Sequence, residues 1–213
     1  SIYTTLICDT ISRYKRLLGE DVIFITGVDE HGLKIQRTAK EKGVEPQNHC
    51  DHISNIFRNC WNEWDISFDK YIRTSSKNHE SIVYEFYRRV KNSDDIYMGV
   101  QKGWYCVGCE EFKDNPDNSS TYKCPIHQKN LEWKNEENLF FRLSKYQSQI
   151  EKIINDPTFI EPKERRNEIL NFVSKGLKDF SISRTNVSWG IPVPNIEKHT
   201  FYVWFDALLG YVS

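Results

Sequence analysis

Asp21-Val22-Ile23-Phe24-Ile25-Thr26-Gly27-Val28-Asp29-Glu30-His31-Gly32 is the stretch from which the fold of this 213-residue chain can be read. Val22 to Ile25 are four apolar residues in succession, too short and too β-branched for a helix, and they predict a central parallel strand buried on both faces. Thr26, two glycines and the polar triplet Asp29, Glu30, His31 follow, and then a helical pattern from Leu33 to Lys42 closed by Gly43. Open α/β sheets place their ligands at the carboxyl ends of parallel strands, so Asp29 is the first candidate functional residue.

Upstream, Leu6, Ile7, Ile11, Tyr14, Leu17 and Leu18 recur at helical spacing between Tyr3 and Leu18, with Gly19 at the stop. Downstream, Pro46 opens a helix with Ile53, Phe57, Cys60, Trp61 and Trp64 as its apolar face. Tyr71 to Thr74 predicts a short strand, His79 to Lys91 a tyrosine-rich helix, and Ile96 to Val100 another short strand. Lys113 opens a polar loop that runs through Asp114-Asn115-Pro116-Asp117-Asn118-Ser119-Ser120. Regular patterning resumes at Asn138 to Leu143, and a turn from Pro157 to Pro162 feeds a helix from Arg165 to about Leu177. Asp179 to Arg184 and Thr200 to Ser213 suggest more strand and loop, with Tyr202-Val203-Trp204-Phe205 the best strand. The order of helix, strand and helix predicts an α/β fold with a parallel sheet.

A formal net charge of -1 with 28% charged residues describes a chain without global attraction to polyanions, so any RNA contact must use a local patch. No apolar run reaches the roughly 18 residues that suggest a membrane span, and Ser1 to Leu18 lacks the basic end and apolar block of a secretory signal.

Of six cysteines, Cys8, Cys50 and Cys60 are scattered in helical patterns and suit small core hydrophobes, whereas Cys106, Cys109 and Cys124 crowd together with His127. Cys106-x2-Cys109 and Cys124-x2-His127 form two ligand pairs at knuckle spacing, joined by a loop long enough to bring them opposite each other. Three thiolates and one imidazole fill four tetrahedral positions, which suits a structural Zn2+ with no open position for water. A redox dithiol or an accidental cluster is the competing explanation. Metal ligands also imply a reducing compartment, hence a cytoplasmic location, with an organellar form left open. The compositional break about Gly99 to Trp133 divides the chain into 1–98, an inserted metal-binding segment 99–133, and a return to the first domain over 134–213.

Several segments in this order resemble the class I methionyl-tRNA synthetase family over essentially the whole chain. They are Tyr3-Thr4-Thr5-Leu6 through Asp9, Thr26 to Gly32, Trp104 to Phe112, Cys124-Pro125-Ile126-His127, Phe140 to Tyr146, Trp189-Gly190-Ile191-Pro192-Val193-Pro194, and Tyr202-Val203-Trp204-Phe205-Asp206-Ala207. The resemblance implies a Rossmann-type parallel sheet with an inserted zinc-knuckle connective domain. It implies activation of L-methionine with ATP and Mg2+ to an adenylate, then transfer to tRNA(Met). It also implies that Asp29 holds the methionine ammonium, with Arg184 against it. Trp204, Ala207, Leu208 and Tyr211 would surround the side chain, and Phe180 would belong to an aromatic set that moves on binding. By composition alone Trp204 on a strand is more often a core residue, and a lone Arg184 is more often a surface charge.

A carboxylate that anchors an ammonium contributes roughly 1.5 to 3 kcal/mol and selects no side chain. Selection must come from the apolar pocket, where one methylene is worth about 1 to 3 kcal/mol. The Tyr211 hydroxyl could add polar discrimination at sulfur. Two rivals remain at this stage: a class I synthetase for leucine, isoleucine, valine or cysteine, and a non-catalytic zinc-dependent RNA-binding or scaffolding module.

The family's first signature, His-Ile-Gly-His, would end just before Ile2, with Ser1 in the place of its last histidine. Its lysine-bearing second signature and its helical anticodon-binding domain are absent from these residues, so no catalytic residue is assigned. The 213 residues alone are expected to show no methionine-dependent pyrophosphate exchange, and measurable exchange would overturn that expectation.

Overall fold

The structure is a computed structural model that describes residues 2–113 and 121–212. The polar loop expected over residues 114–120, and Ser1 and Ser213, lie outside the described residues. The chain runs α1 (Ile2–Leu17), β1 (Ile25–Val28), α2 (Leu33–Glu41), α3 (Pro46–Glu63), β2 (Lys70–Arg73), α4 (Lys77–Asn92), β3 (Ile96–Cys106), β4 (Glu111–Lys113) and β5 (Glu132–Phe141). It continues through a 3-10 turn (Leu143–Tyr146), α5 (Gln147–Asn155), α6 (Lys163–Val173), β6 (Phe180–Ser181), β7 (Ser183–Arg184), β8 (Thr200–Phe201), α7 (Val203–Leu208) and a last 3-10 turn (Leu209–Tyr211).

β1 and β2 pair in parallel, with Gly27 opposite Ile72, as an α/β sheet requires. The strand begins at Ile25, so the expectation at Val22 to Ile25 is displaced toward the carboxyl end. Nor is the strand buried on both faces: Ile23 and Ile25 are exposed, because among the described residues β1 has only β2 beside it. A similar correction applies to α1, whose buried residues are Asp9 and Ser12 while Ile7, Ile11, Tyr14 and Leu17 are exposed. Asp9 is held inward by the Ser67 backbone N–H at 2.7 Å and the Ser67 hydroxyl at 2.6 Å. On α3, Trp61 enters the core beside Phe24 and Ile66, whereas Phe57 and Trp64 remain exposed.

The segment expected to hold one short strand after α4 forms a long antiparallel hairpin. β3 pairs with β5 from Ile96 opposite Phe141 to Tyr105 opposite Glu132, and β4 and β6 flank the pair. Glycines at 99 and 103 hid the length of β3, because cross-strand pairing rather than local propensity sets it. The cysteine pairs sit at the distal end of this hairpin.

A larger correction concerns Tyr202 to Phe205, expected as a strand. Only Thr200 and Phe201 are strand, and Val203 to Leu208 form α7. Helical spacing explains the outcome: Phe205 and Leu209 fall on one face and are buried, while Trp204, Leu208 and Tyr211 fall on the other and are exposed. The largest core cluster joins both sides of the hairpin, with Val83 and Tyr87 of α4 against Leu139, Ile182, Ile191, Phe201, Tyr202, Phe205 and Leu209. No described helix is long and apolar enough to cross a membrane. Ile182 has no exposed surface and lies within that cluster. Ile182→Ala is therefore expected to cost about 2 to 5 kcal/mol, measured as a shift in urea unfolding midpoint at unchanged slope.

Candidate functional site

Three consecutive polar residues end β1, and the fold disposes of them differently. Glu30 is buried and bound by Arg73, whose guanidinium lies 2.9 Å from one carboxylate oxygen and also reaches Asp51 at 2.6 Å. His31 is buried, and its Nδ1 faces a carboxylate oxygen of Asp206 at 2.6 Å. Asp29 has no hydrogen-bonding or ion-pair partner among the described residues and stays accessible. A carboxylate flanked by two consumed neighbours is the one group of the three left for a ligand.

The turn itself is held from outside. Gly32 takes φ +109, a conformation that side chains avoid, and a Cβ there would lie 2.7 Å from the Glu110 carboxylate. That carboxylate accepts from the Lys34 backbone N–H at 2.7 Å, so an acid from the hairpin stands at the amino end of α2. Trp189 braces the other side, donating its indole N–H to the Glu30 carbonyl at 2.5 Å and meeting the His31 ring edge-on at 5.5 Å.

Asp29 opens into a cavity of about 320 Å³ lined by Ile72, Thr74, Trp204, Ala207, Leu208 and Tyr211, among others. Partial desolvation pushes the Asp29 carboxyl above its ordinary value. Asp206 adds to that rise, and the imidazoles of His79 and His31 oppose it. The cavity thus offers one carboxylate at a strand end and an apolar wall built by α7, an arrangement suited to a small molecule with a cationic head and an apolar tail.

The structure brings Asp29, Trp204, Ala207, Leu208 and Tyr211 around this one space, with Tyr211 84% exposed at its edge. Phe180 and Arg184, expected beside them from the sequence, lie elsewhere. Phe180 lines a separate cavity of about 400 Å³ with Phe86, Phe141, Phe205, Leu208 and Leu209, so Leu208 stands between the two spaces. Arg184 is buried beneath Tyr202, with its guanidinium carbon 3.7 Å from the ring centroid. Its Nη1 donates to the Ser181 hydroxyl and the Ser183 carbonyl, each at 2.7 Å. No hydrogen bond or ion pair joins it to Asp29 among the described residues, because these local acceptors and the aromatic face hold it where it is.

At the hairpin tip, Cys106, Cys109, Cys124 and His127 bring one ligand atom each within 4.8 Å of one another. Cys109 Sγ lies 3.6 Å from Cys124 Sγ and 3.3 Å from His127 Nδ1, and Cys106 and Cys124 are each 3.8 Å from the same nitrogen. A tetrahedron with metal–sulfur bonds of about 2.3 Å has edges of about 3.8 Å, so the spacing fits a single ion. All three thiols are free. Each pair is followed by a residue at positive φ, Glu110 and Gln128, which turns the chain back over the cluster. Gly108 is required where it stands, since a Cβ would meet the His127 ring at 2.6 Å.

The cluster also touches the cavity wall. The Tyr202 hydroxyl donates to the Glu110 carbonyl at 2.5 Å, and the Trp204 indole reaches the Cys109 carbonyl at 3.4 Å. No role for His31, Asp206, His79 or Glu110 is legible in the sequence. Their types were visible inside quoted segments, but only tertiary contact reveals what each one touches.

A model of the family described as tRNA synthetases class I (M) matches residues 1–129 and 113–213. A methionine–tRNA ligase of Nostoc sp. is 55% identical over the whole chain, which spans 41% of that relative's length. A chloroplastic/mitochondrial methionine–tRNA ligase of Arabidopsis thaliana is 51% identical over the whole chain, which spans 35% of it. A Mycobacterium tuberculosis methionyl-tRNA synthetase solved with methionyl-adenylate superposes with a TM-score of 0.92 at 38% identity, over 99% of this chain and 43% of that one. The α/β arrangement around β1 and β2 is accordingly Rossmann-like. Matched by the family model along its length and more than half identical to a curated relative throughout, the chain belongs to the class I tRNA synthetases (M).

Proposed function

We propose that this chain supplies the methionine-binding part of a methionine–tRNA ligase, an enzyme that activates L-methionine with ATP and Mg2+ and transfers it to tRNA(Met). The observation that carries this reading is the unpartnered Asp29 carboxylate facing Trp204, Ala207 and Leu208 across one cavity. Asp29 would accept hydrogen bonds from the ammonium, and the α7 face with Ile72 would enclose the thioether chain, with Tyr211 at the open end. Phe180 would act from the adjoining cavity through Leu208. Arg184 would act through Tyr202, whose ring it underlies. The attack of the methionine carboxylate on an α-phosphate needs no covalent enzyme intermediate, so the task of these residues is to hold the amino acid in line.

Cys106, Cys109, Cys124 and His127 would bind Zn2+ as a structural ion. The knuckle would then be an insertion over residues 99–133 in a domain formed by 1–98 and 134–213. Support for that division comes from the core cluster, which joins α4 to the segment after the hairpin. The fully protein-filled ligand set leaves no position for catalytic water. A reducing compartment suits this ligand set, and a cytoplasmic location is proposed on that ground. The name of the Arabidopsis relative keeps organellar forms in view.

Methionine titrated into the chain should change the emission of Trp204, which stands in the cavity wall. Asp29→Asn should weaken binding about ten- to hundredfold, the loss of a charge-assisted hydrogen bond. Leucine and cysteine should bind more weakly than methionine; an equal response to all three would sink the assignment. Because the ammonium requires Asp29 ionised, affinity should be full only above the raised pKa of the folded carboxyl. It should fall about tenfold per unit below the raised pKa, at a higher pH than an unperturbed aspartate would give. A methionine affinity flat down to the ordinary aspartate range would contradict this.

Purified protein should contain one zinc per chain by elemental analysis, and stripping the metal should lower the melting temperature. A zinc-free protein with Cys106 and Cys109 oxidised to each other would refute the metal site.

A further inference from the structure

Behind the cavity wall lies a set of polar groups that contact no ligand space. Asp206 on α7 has no exposed surface, and its two oxygens are divided between two imidazoles. His31 Nδ1 lies 2.6 Å from one oxygen, and His79 Nε2 lies 2.6 Å from the other. These three residues come from the turn that carries Asp29, from α4, and from the helix that carries Trp204 and Ala207. None of them lines the cavity.

His79 is also fully buried, and its Nδ1 has no partner, so the one polar contact of its ring among the described residues is the bond to Asp206. A ring in that position, beside an apolar cluster that includes Val83, is costly to bury unless that bond matters. The other inward contacts of α7 are the apolar packing of Val203 and Phe205, continued by Leu209 just beyond the helix, and a longer bond of 3.4 Å from the Trp204 indole to the Cys109 carbonyl. Apolar packing is non-directional and tolerates rotation of a six-residue helix about its axis, whereas two charge-assisted hydrogen bonds do not. Each helical residue advances about 100° around the axis, so fixing Asp206 fixes where Trp204 and Ala207 face.

We propose that Asp206, clamped between His31 and His79, is a positioning residue for amino-acid binding. It sets the separation and facing of the Asp29 carboxylate and the Trp204 wall, and thereby the affinity for methionine. This rests on the methionine reading above. Burial alone would raise the Asp206 carboxyl, but the hydrogen bonds and charges of the two imidazoles hold it below its ordinary value, which keeps it an acceptor for both rings.

The test compares two amides of different reach at one position. In His79→Gln the side-chain nitrogen stands near the place of Nε2 and can still donate to Asp206, whereas in His79→Asn it falls short. Methionine dissociation constants of the unmodified chain, both variants, Asp206→Asn and the Asp206→Asn/His79→Asn double variant are measured by equilibrium dialysis, with melting temperatures alongside. Gln should retain affinity within about threefold, and Asn and Asp206→Asn should each lose about tenfold or more, with no further loss in the double variant. If His79→Asn does not fold, Asp206→Asn against the unmodified chain decides. Equal affinities in all folded variants, whatever their melting temperatures, would overturn this proposal alone and leave the methionine reading standing. Failure of the unmodified chain to bind methionine would overturn both.

Discussion

A carboxylate with no exposed surface, gripped on both oxygens, is the constraint from which the arrangement of this molecule follows. Asp206 could not be buried as a charge without donors on each side, since an uncompensated buried charge costs several kcal/mol. His31 and His79 meet that requirement from two different elements, so the turn after β1, α4 and α7 must arrive together or the charge is left unpaired. The hydrophobic cluster around Val83, Ile182 and Phe205 supplies the bulk of the attraction between those elements. It does not specify which way a short helix is rotated, and directional bonds do.

The same logic of consumed partners separates Asp29 from its neighbours. Asp29, Glu30 and His31 differ little as sequence, being three polar residues at a strand end. Glu30 is neutralised by Arg73, which is itself shared with Asp51, and His31 is spent on Asp206. Asp29 keeps its lone pairs unpaired among the described residues because the other two have used the nearby cations and acids. Partial desolvation and then the proximity of Asp206 oppose its ionisation, and the two imidazoles moderate that opposition.

The hairpin ties the cysteine cluster to this centre by ordinary backbone acceptors. The carbonyls of Cys109 and Glu110 take hydrogen bonds from Trp204 and Tyr202, and the Glu110 carboxylate stands at the amino end of α2. The cysteine-bearing tip of the hairpin therefore presents two backbone acceptors, one to Tyr202 and one to Trp204 of the cavity wall. Gly32 and Gly108 mark the two closest approaches, one to the Glu110 carboxylate and one to the His127 ring, and a methyl group fits at neither.

Sequence by itself determined the helices that have strong periodicity, the cysteine and histidine pairs at knuckle spacing, the parallel strand before Asp29 to within three residues, and the family. These are local or pairwise signals, and spacing along the chain suffices to carry them. Tertiary structure alone decided the rest. Val203, Trp204 and Phe205 have strand-like composition yet form a helix, because Phe205 and Leu209 must be buried while Asp206 meets two imidazoles. On α1, Ile7, Ile11, Tyr14 and Leu17 are exposed, whereas Asp9 is held inward by Ser67. Phe180 and Arg184, adjacent in the chain to the right segments, lie in a neighbouring cavity and beneath Tyr202. Which partner consumes each polar group depends on contacts between residues far apart in sequence, and no local pattern encodes that choice.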